Sequence, residues 1–273
     1  MAEKAYIEAR RILLDALAAL EEQLDALILV GAQAAHIHID GVPAPVVDYT
    51  TDADIAIDPN QLDREPEIGA SLKKAGLRPK EDGPGVWLWA DRETDEGPSV
   101  DLLVPQSLAK ARGHRAARLD GHSRDSARYV DGIEAALVDW KRHRIASLDS
   151  SDDRRYELKV AGPATILIAK LFKISDRLNS ARAEPKDGYE SFRLMQLPLE
   201  VIVRGWRHAL GSDSSKAVAN KGVDLLADLF GAAEAPGVEL AVTYVGEFED
   251  PRQLRLSAPL LARQIVAALR ASI

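Results

Sequence analysis

In the stretch Thr51-Asp52-Ala53-Asp54-Ile55-Ala56-Ile57-Asp58, residues 52–58 alternate acidic or small residues with apolar ones, and Pro59-Asn60 ends the alternation. A period of two predicts a β-strand, because successive side chains of a strand point to opposite faces. Asp52 and Asp54 would then share one face, about 6–7 Å apart along the chain. This stretch therefore predicts a strand that presents two carboxylates side by side.

A glycine turn precedes this strand. The apolar run at 27–30 predicts a short strand ending at Gly31, and Gly31-Ala32-Gln33 predicts a tight turn that opens a short helix. Backbone N–H groups in such a turn can approach a triphosphate closely. A glycine after a strand is also common in proteins that bind no ligand at that position. The turn therefore supports a phosphate site only in combination with the acidic residues on the other strands.

A third acidic residue lies on a later predicted strand. Val100-Asp101-Leu102-Leu103-Val104 sets Asp101 among apolar residues. Three carboxylates suit Mg²⁺ or Mn²⁺, since these cations prefer hard oxygen ligands and take the remaining ones from phosphates and water. With 43 Asp and Glu in 273 residues, acid-x-acid pairs also arise from composition alone. The alternative is therefore that Asp52 and Asp54 lie on the solvent-exposed face of an edge strand and bind no metal.

Helices and strands alternate through the first 160 residues. Helices are predicted over 8–25 and 62–75, and further strands over 85–90, 99–104, 133–138 and 156–160. Interleaved helices and strands predict an α/β or α+β domain.

The composition changes near the polar segment 147–153. Beyond it the pattern predicts mostly helices, over 163–182, 186–196, 198–210, 213–230 and 257–271, with 238–245 as a possible strand. We therefore predict two domains, 1–150 and 151–273, the second mostly helical.

A second charged cluster lies on the helix predicted after Pro163. Lys170, Lys173 and Arg177 follow the spacing i, i+3, i+7 and share one helix face, where three cations could hold a triphosphate. The alternative is an ordinary solvated face. Lys186 and Asp187 open the next predicted helix, where an acid can also serve as a cap.

Two histidines, His36 and His38, would share a face only if their stretch were extended, and they could then be ligands. We favour partly buried structural histidines.

Bulk composition excludes some classes of protein. The absence of cysteine excludes disulfides and thiolate metal sites, and the absence of a run of about 18 apolar residues predicts no membrane-spanning helix. Residues 1–11 lack the apolar core of a signal peptide, so we expect a cytoplasmic protein. A net charge of -8 disfavours coating of nucleic acid. Residues 110–144 nevertheless carry nine Lys and Arg against five acids, which fits a phosphate backbone or a solvated, salt-bridged face.

Together these motifs resemble the AbiEii-type nucleotidyltransferases, which include the MenT toxins, within the DNA polymerase β-like superfamily. The resemblance covers about residues 26–196 and rests on the order of five blocks. The blocks are Val30-Gly31-Ala32, Thr50-Thr51-Asp52-Ala53-Asp54-Ile55, Val100-Asp101-Leu102, Ala169-Lys170-Leu171-Phe172-Lys173-Ile174-Ser175-Asp176-Arg177, and Lys186-Asp187-Gly188-Tyr189-Glu190.

The resemblance implies an α+β fold with a nucleotidyltransferase-type mixed sheet and flanking helices, followed by a mostly helical C-terminal domain. It implies Mg²⁺ or Mn²⁺ bound by Asp52, Asp54 and Asp101, with Asp101 helping to deprotonate the attacking hydroxyl. The nucleoside triphosphate would contact the turn and the basic cluster, and Lys170 and Asp187 would join the catalytic groups. These implied nucleotide-binding residues are Gly31, Ala32, Gln33, Thr51, Lys170, Lys173, Arg177 and Lys186.

The resemblance also implies partners. Relatives transfer a nucleoside monophosphate from an NTP, in some cases to the 3′ end of tRNA, and many are toxins paired with an antitoxin. Two departures bear on substrate choice. The superfamily's Gly-Gly or Gly-Ser turn is Gly31-Ala32 here, with Gln33 as the candidate substitute for the serine, and Asp48 stands where many relatives carry an Arg.

Two other functions are compatible with the same residues. One is a non-catalytic NTP-binding or interaction protein on the same scaffold, although all three acids are present. The other is a transferase that acts on a small molecule. The basic segment 110–144 favours a nucleic acid acceptor.

Overall fold

A computed structural model describes residues 2–42, 50–109, 115–178, 182–246, 248 and 250–271. These residues group into two compact units. Unit 1 contains the described residues within 1–33, 48–131 and 140–161, and unit 2 those within 34–47, 132–139 and 162–273. In the described ranges, none of the helices has the length and apolar character needed to span a bilayer.

Eight strands and nine helices make up the regular structure of the described chain. Up to residue 161 they are α1 (Ala2–Ala19), β1 (Leu27–Val30), α2 (Gly31–Ile39), β2 (Asp52–Ile57), α3 (Ile68–Lys74), β3 (Leu77–Lys80), β4 (Gly83–Trp89), β5 (Ser99–Pro105), β6 (Arg128–Val130), β7 (Trp140–Ala146) and β8 (Arg155–Ala161). The remaining helices are α4 (Pro163–Leu178), α5 (Pro185–Met195), α6 (Leu199–Gly211), α7 (Lys216–Phe230), α8 (Pro236–Val245) and α9 (Pro251–Arg270).

Unit 1 is built on a mixed β-sheet with the strand order β3-β4-β5-β2-β1-β8-β7, and β6 pairs with β5. The pairs β2/β5, β1/β8 and β5/β6 are parallel, whereas β1/β2, β3/β4, β4/β5 and β7/β8 are antiparallel. Helix α1 packs on β2, β5 and β8, and α3 packs on β3. The predicted mixed sheet with flanking helices is confirmed.

Alternation of side chains gives β2 its two different faces. Ala53, Ile55 and Ile57 are fully buried on one face, whereas Asp52 and Asp54 point to the other. Burial of each isoleucine side chain stabilises the fold by about 1.5–3 kcal/mol. The apolar half of the alternation therefore sets the direction in which the acidic half points.

Unit 2 is mostly helical, as predicted for the C-terminal region. Helix α4 packs against α5, α6 and α7, and α9 packs against α6, α7 and α8. Trp206 is fully buried and donates its indole N–H to the carbonyl of Ala219 at 3.0 Å. A side chain at Gly222 would press on the Trp206 ring at 3.1 Å, so the small residue lets the ring and the helices close together.

Two predicted strands are wrong. Residues 238–245 belong to helix α8, because Val238, Ala241 and Val245 are buried at helical spacing behind Pro236 in the first turn. Their β-branched content favoured a strand. Residues 133–138 instead form a short 3-10 turn at Glu134–Leu137, whose Glu134 carboxylate accepts the N–H of Gly132.

Helix α3 is shorter than the predicted helix over 62–75, and α1 ends before the predicted residue 25. Strands β3, β6 and β7 were not predicted from the sequence. In β7 the run Lys141-Arg142-His143-Arg144 hides the strand pattern, because β7 is an edge strand and only Ile145 is buried.

The compact units divide the chain at positions other than the predicted domain boundary at residue 150. Strand β8 pairs with both β1 and β7, so the sheet continues to Ala161. Each unit also contains separate segments of the chain. Independent folding of 1–150 and 151–273 stays a prediction.

Glu67 ties the start of α3 to the loop that follows Gly121. Its carboxylate accepts hydrogen bonds from the N–H groups of Gly69 and Ser123, each at 2.9 Å, and from the Ser126 hydroxyl at 2.9 Å. Partial burial raises the pKa of Glu67, but these hydrogen bonds and one from Ala70 outweigh it and lower the pKa to about 2.

We expect Glu67→Gln to lower the free energy of unfolding by about 1–3 kcal/mol at neutral pH, since it removes charge-assisted hydrogen bonds. A depressed pKa stabilises the fold above the ordinary value of 4.5, and this contribution is lost as the pH falls towards about 2. Urea unfolding of wild type and variant from pH 7 downward should show the difference shrinking below pH 4.5. Glu65→Gln, at an exposed neighbour, is the matched control, and an equal effect of both changes would contradict this role.

Candidate functional site

The three predicted metal-binding acids share one face of the sheet in unit 1. Strands β2 and β5 are parallel, and Asp54 stands directly opposite Asp101 in their register. Asp52 lies two residues before Asp54 and therefore points to the same face. Asp52 and Asp54 are half-buried and Asp101 is buried. The structure thus places Asp52, Asp54 and Asp101 on one face of the sheet.

An arginine that the sequence did not single out joins this face. Arg128 begins β6, which pairs with β5 so that Arg128 is opposite Leu103. Leu103 has the same orientation as Asp101, and Arg128 donates from Nη2 to Asp101 Oδ2 at 2.6 Å. The hydroxyl of Ser99 is 3.5 Å from the other oxygen of Asp101. No local pattern marks Arg128, because the two partners are 27 residues apart.

Electrostatics on this face pull Asp101 in two directions. Burial raises the pKa of Asp101, Arg128 opposes the rise by its charge and hydrogen bond, and the negative charge of Asp52 adds to it. The net pKa is above the ordinary value. A nearby cation would therefore stabilise the ionised carboxylate.

Gly31 lies against the acidic face because it follows Val30, which is opposite Asp54 in the β1/β2 register. Its φ is +67°, and a Cβ at this position would be 1.9 Å from Asp54 Oδ2. Only glycine fits both the backbone conformation and the space. The predicted glycine turn that opens α2 is confirmed, and it borders the carboxylate of Asp54.

Two polar residues near Gly31 and Asp52, Gln33 and Thr50, are buried and hydrogen-bonded. Gln33 is 1% exposed; its Oε1 accepts from Arg10 Nε at 2.8 Å, and its amide donates to the carbonyls of Ala9 and Asp52, each at 3.2 Å. Gln33 therefore supports the start of β2 in this structure. Thr50 is buried and donates its hydroxyl to the Asp52 carboxylate.

Ala32 is buried, and Thr51 is exposed beside the acidic pair. The predicted nucleotide-binding roles of Ala32, Gln33 and Thr51 stay predictions.

The carboxylate oxygens of this face are ligands of the kind that Mg²⁺ and Mn²⁺ prefer. Burial and the charge of Asp52 raise the pKa of Asp101, and a cation beside this carboxylate would offset the cost of its negative charge. Within the described residues, no group of three or more His, Cys, Asp or Glu side chains is arranged so that it could hold a metal ion. Asp52 is engaged by Thr50 and Asp101 by Arg128. The carboxylate chemistry of this face suits a cation, whereas in this arrangement Thr50 and Arg128 occupy two of its three acids.

The second predicted cluster is a buried ionic network in unit 2. Lys170, 5% exposed, donates to Glu190 and lies 3.4 Å from Asp187 Oδ1. Asp187 and Glu190 are 2% and 1% exposed. Lys170 therefore neutralises two buried acids, which is a structural role that exists beside any role in catalysis.

The other cations of this cluster are more exposed. Lys173 Nζ is 3.0 Å from Asp187 Oδ1, and Arg177 Nη1 is 3.8 Å from Asp187 Oδ2 and also contacts Glu184. The predicted shared face of α4 is confirmed, because Lys170, Lys173 and Arg177 all reach Asp187. Lys186 Nζ is 3.8 Å from Glu190 Oε1 one turn along α5.

His36 joins the network in unit 2. Its Nε2 is 3.6 Å from Glu190 Oε1. His36 and His38 lie on helix α2 and are partly buried, as expected of structural histidines, and the extended stretch that would make them ligands does not form. Glu190 and His36 were not among the predicted site residues. Of the two, only Glu190 belongs to a sequence block of the family resemblance, the block Lys186-Asp187-Gly188-Tyr189-Glu190.

The described cations of the basic segment 110–144 differ in their surroundings. Lys110 and Arg112 lie outside the described residues, and so does Asp48. Arg115, Arg118 and Arg124 are exposed, whereas Arg128 is bound to Asp101. On β7, Arg142 Nη2 donates to Asp25 Oδ1 at 2.6 Å.

Comparisons with known proteins leave the family open. No protein-family model matches the sequence, and no curated protein matches it significantly. A crystal structure of a provisionally assigned nucleotidyltransferase from H. pylori aligns over 100% of this chain and 99% of its own, at 8% identity and a TM-score of 0.36. A TM-score this low carries no weight for family or activity.

We expect Gly31→Ala to destabilise unit 1 and displace the Asp54 carboxylate. A positive φ costs a residue with a Cβ about 1–2 kcal/mol, and the clash with Asp54 adds to this. Gly76→Ala is the matched control, because Gly76 has a φ of +86° and a Cβ added there would meet nothing within 4 Å. Thermal unfolding should show a larger loss for Gly31→Ala, and equal losses would contradict the close contact with Asp54.

We expect Lys170→Met to lower the free energy of unfolding by about 3–5 kcal/mol, because it leaves two buried carboxylates without their shared cation. Lys173→Met is the matched control on the same helix, since Lys173 also contacts Asp187 but its side chain is 39% exposed. Its loss should cost about 0–1 kcal/mol. Urea unfolding of both variants measures the difference. Similar midpoints would show that Lys170 is not the cation that stabilises this network.

Proposed function

We propose that this protein is a metal-dependent nucleotidyltransferase that moves a nucleoside monophosphate from an NTP to an acceptor hydroxyl. One observation carries the proposal: Asp52, Asp54 and Asp101 share a sheet face, with Asp54 and Asp101 opposite each other in register. The glycine turn at Gly31 borders the same face. The resemblance in the order of five sequence blocks supports the same chemistry.

The proposed reaction is an in-line displacement at phosphorus. The acceptor oxygen forms a bond to the α-phosphorus of the NTP, and the bond from that phosphorus to the bridging oxygen of the β-phosphate breaks. Pyrophosphate leaves with the electron pair. The hydroxyl proton is proposed to pass to a carboxylate of the acidic face, with Asp101 as the candidate.

The chain's own residues would position the reactants. Asp52, Asp54 and Asp101 would hold Mg²⁺ or Mn²⁺, which supplies positive charge that stabilises the phosphates and the leaving pyrophosphate. Gly31 leaves space beside Asp54, and the N–H groups at the start of α2 suit phosphate oxygens. Asp52 is oriented by the Thr50 hydroxyl and by the Gln33 amide on its backbone carbonyl.

The basic cluster of unit 2 is proposed to contact phosphates through its exposed members. Lys173, Arg177 and Lys186 are partly exposed, and they also contact acids of α5 or Glu184, the residue before it. Lys170 and Asp187 are buried in the same network and would position these side chains. In this proposal the exposed cations contact phosphates, and the buried Lys170 and Asp187 hold them in position.

The acceptor is proposed to be RNA, with the 3′ end of tRNA as the first candidate. The exposed Arg115, Arg118 and Arg124 support a polyanionic acceptor in a chain whose net charge is -8. A toxin role with a cognate antitoxin rests on the sequence resemblance alone. Growth arrest on expression of the wild type but not of Asp54→Asn would support it.

We expect the wild-type chain to transfer label from at least one α-labelled NTP to RNA in the presence of Mg²⁺, and Asp54→Asn to lower the rate by about a thousandfold or more, since a ligand of the reacting centre is lost. Asp91→Asn, an exposed acid just after β4, is the matched control and should react like wild type. Gel separation of total RNA after incubation with each labelled NTP measures the transfer.

Other outcomes identify the alternatives. Binding heat with NTP but no pyrophosphate release would favour a non-catalytic NTP-binding protein. Pyrophosphate release that requires a small hydroxyl compound, with RNA unlabelled, would favour a small-molecule transferase. Equal labelling by wild type and Asp54→Asn would exclude the acidic face as the site.

A further inference from the structure

Four charged side chains occupy one face of three adjacent strands: Asp52 and Asp54 on β2, Asp101 on β5 and Arg128 on β6. Three of them are acids of the proposed cation site. Arg128 is bonded to one of those acids at 2.6 Å, with its side chain 21% exposed. A cation of the protein itself therefore sits where the proposed site would attract a divalent cation.

The backbone of Arg128 is held firmly by the packing of three strands. A Cβ at Gly85 would be 2.4 Å from the Arg128 backbone nitrogen and 2.7 Å from the Leu102 carbonyl, so glycine permits the close approach. The N–H of Gly85 donates to the Asp125 carbonyl at 3.0 Å, and the N–H of Tyr129 donates to the Arg115 carbonyl at 2.8 Å. The base of the Arg128 side chain therefore has a set position beside Asp101.

The guanidinium itself is bound less completely than its backbone. Nη2 donates to Asp101, whereas the buried Nε has no hydrogen-bond partner among the described residues. A bidentate arginine–carboxylate pair would use two parallel N–H donors. Arg128 thus holds Asp101 through one donor, so a single charge-assisted hydrogen bond has to break before Asp101 can take another cation.

We infer that Arg128 is the internal counter-charge of the acidic face, which competes with a divalent cation for Asp101 and thereby sets the cation affinity of the site. The inference rests on the proposed function in taking this face as a cation site. A positive charge in contact with one ligand weakens the attraction of all three carboxylates for a second positive charge. Loss of Arg128 leaves a buried, uncompensated carboxylate that favours any incoming cation.

A purely structural role of Arg128 predicts something different. An arginine that only neutralises a buried acid would, when replaced, lower the unfolding temperature and leave cation affinity unchanged or weaker. A competing arginine would lower the unfolding temperature without cation and raise the affinity. Cation affinity therefore separates the two roles where stability does not.

The test is calorimetric titration of the full chain with MnCl₂ alone at about pH 8, where ordinary carboxylates are ionised. We expect Arg128→Gln to bind Mn²⁺ at least about tenfold more tightly than wild type, and Arg128→Lys to stay close to wild type because the charge remains. Arg64→Gln, at an exposed arginine of the same unit, is the matched control and should not change the affinity. Asp101→Asn combined with Arg128→Gln should remove the gain.

Equal or weaker Mn²⁺ binding by folded Arg128→Gln would overturn the inference. If that variant does not fold, the wild-type chain carries the test through the ¹⁵Nε–H resonance of Arg128, which should shift on addition of Mg²⁺; an unchanged resonance at saturating Mg²⁺ would overturn it. Binding that requires Asp54 but ignores Arg128 would sink this inference and leave the proposed function standing. Wild-type binding that is absent, or that is unaffected by Asp54→Asn, would overturn both.

Discussion

The parallel pairing of β2 with β5 is the constraint on which the acidic face depends. Because Asp54 stands opposite Asp101 and Asp52 is two residues away, the sheet brings three negative charges to one surface. This arrangement is unfavourable by itself, and burial of Asp101 makes it more so. The sheet can maintain it because the other face of β2 buries Ala53, Ile55 and Ile57, and a shift of one residue would exchange the two faces.

Charge compensation is the feature that both units share. In unit 1, Arg128 neutralises Asp101 next to two further acids. In unit 2, Lys170 neutralises Asp187 and Glu190, which are almost completely buried. Buried ion pairs contribute little net stability compared with apolar packing, but breaking one is costly. Substitution of one partner in such a pair therefore lowers the stability of the fold, whether or not the residue also takes part in chemistry.

Part of the fold follows from local patterns. Strands β1, β2, β4, β5 and β8 and most helices of unit 2 have apolar residues at the spacing that their structure requires, and they were predicted within a few residues. The sequence of strand β7 does not predict a strand, because its side chains are mostly charged. The sequence of α8 favours a strand, because β-branched residues also suit strands. In both cases the tertiary partner, rather than local preference, decided the conformation. Strand β7 forms by pairing with β8, and α8 packs its apolar side on α5.

Local patterns are sufficient to locate the acidic pair, its strand, the third acid on an apolar strand, the glycine turn and the cation stripe of α4. Each of these depends on periodicity within a few residues, where backbone geometry dictates which side chains share a face. Long-range packing, in contrast, makes Arg128 bind Asp101, Gly31 lie against Asp54, and His36 and Lys170 meet at Glu190. These contacts join residues about 20 or more positions apart, and strand register or helix packing creates them, so no local pattern records them.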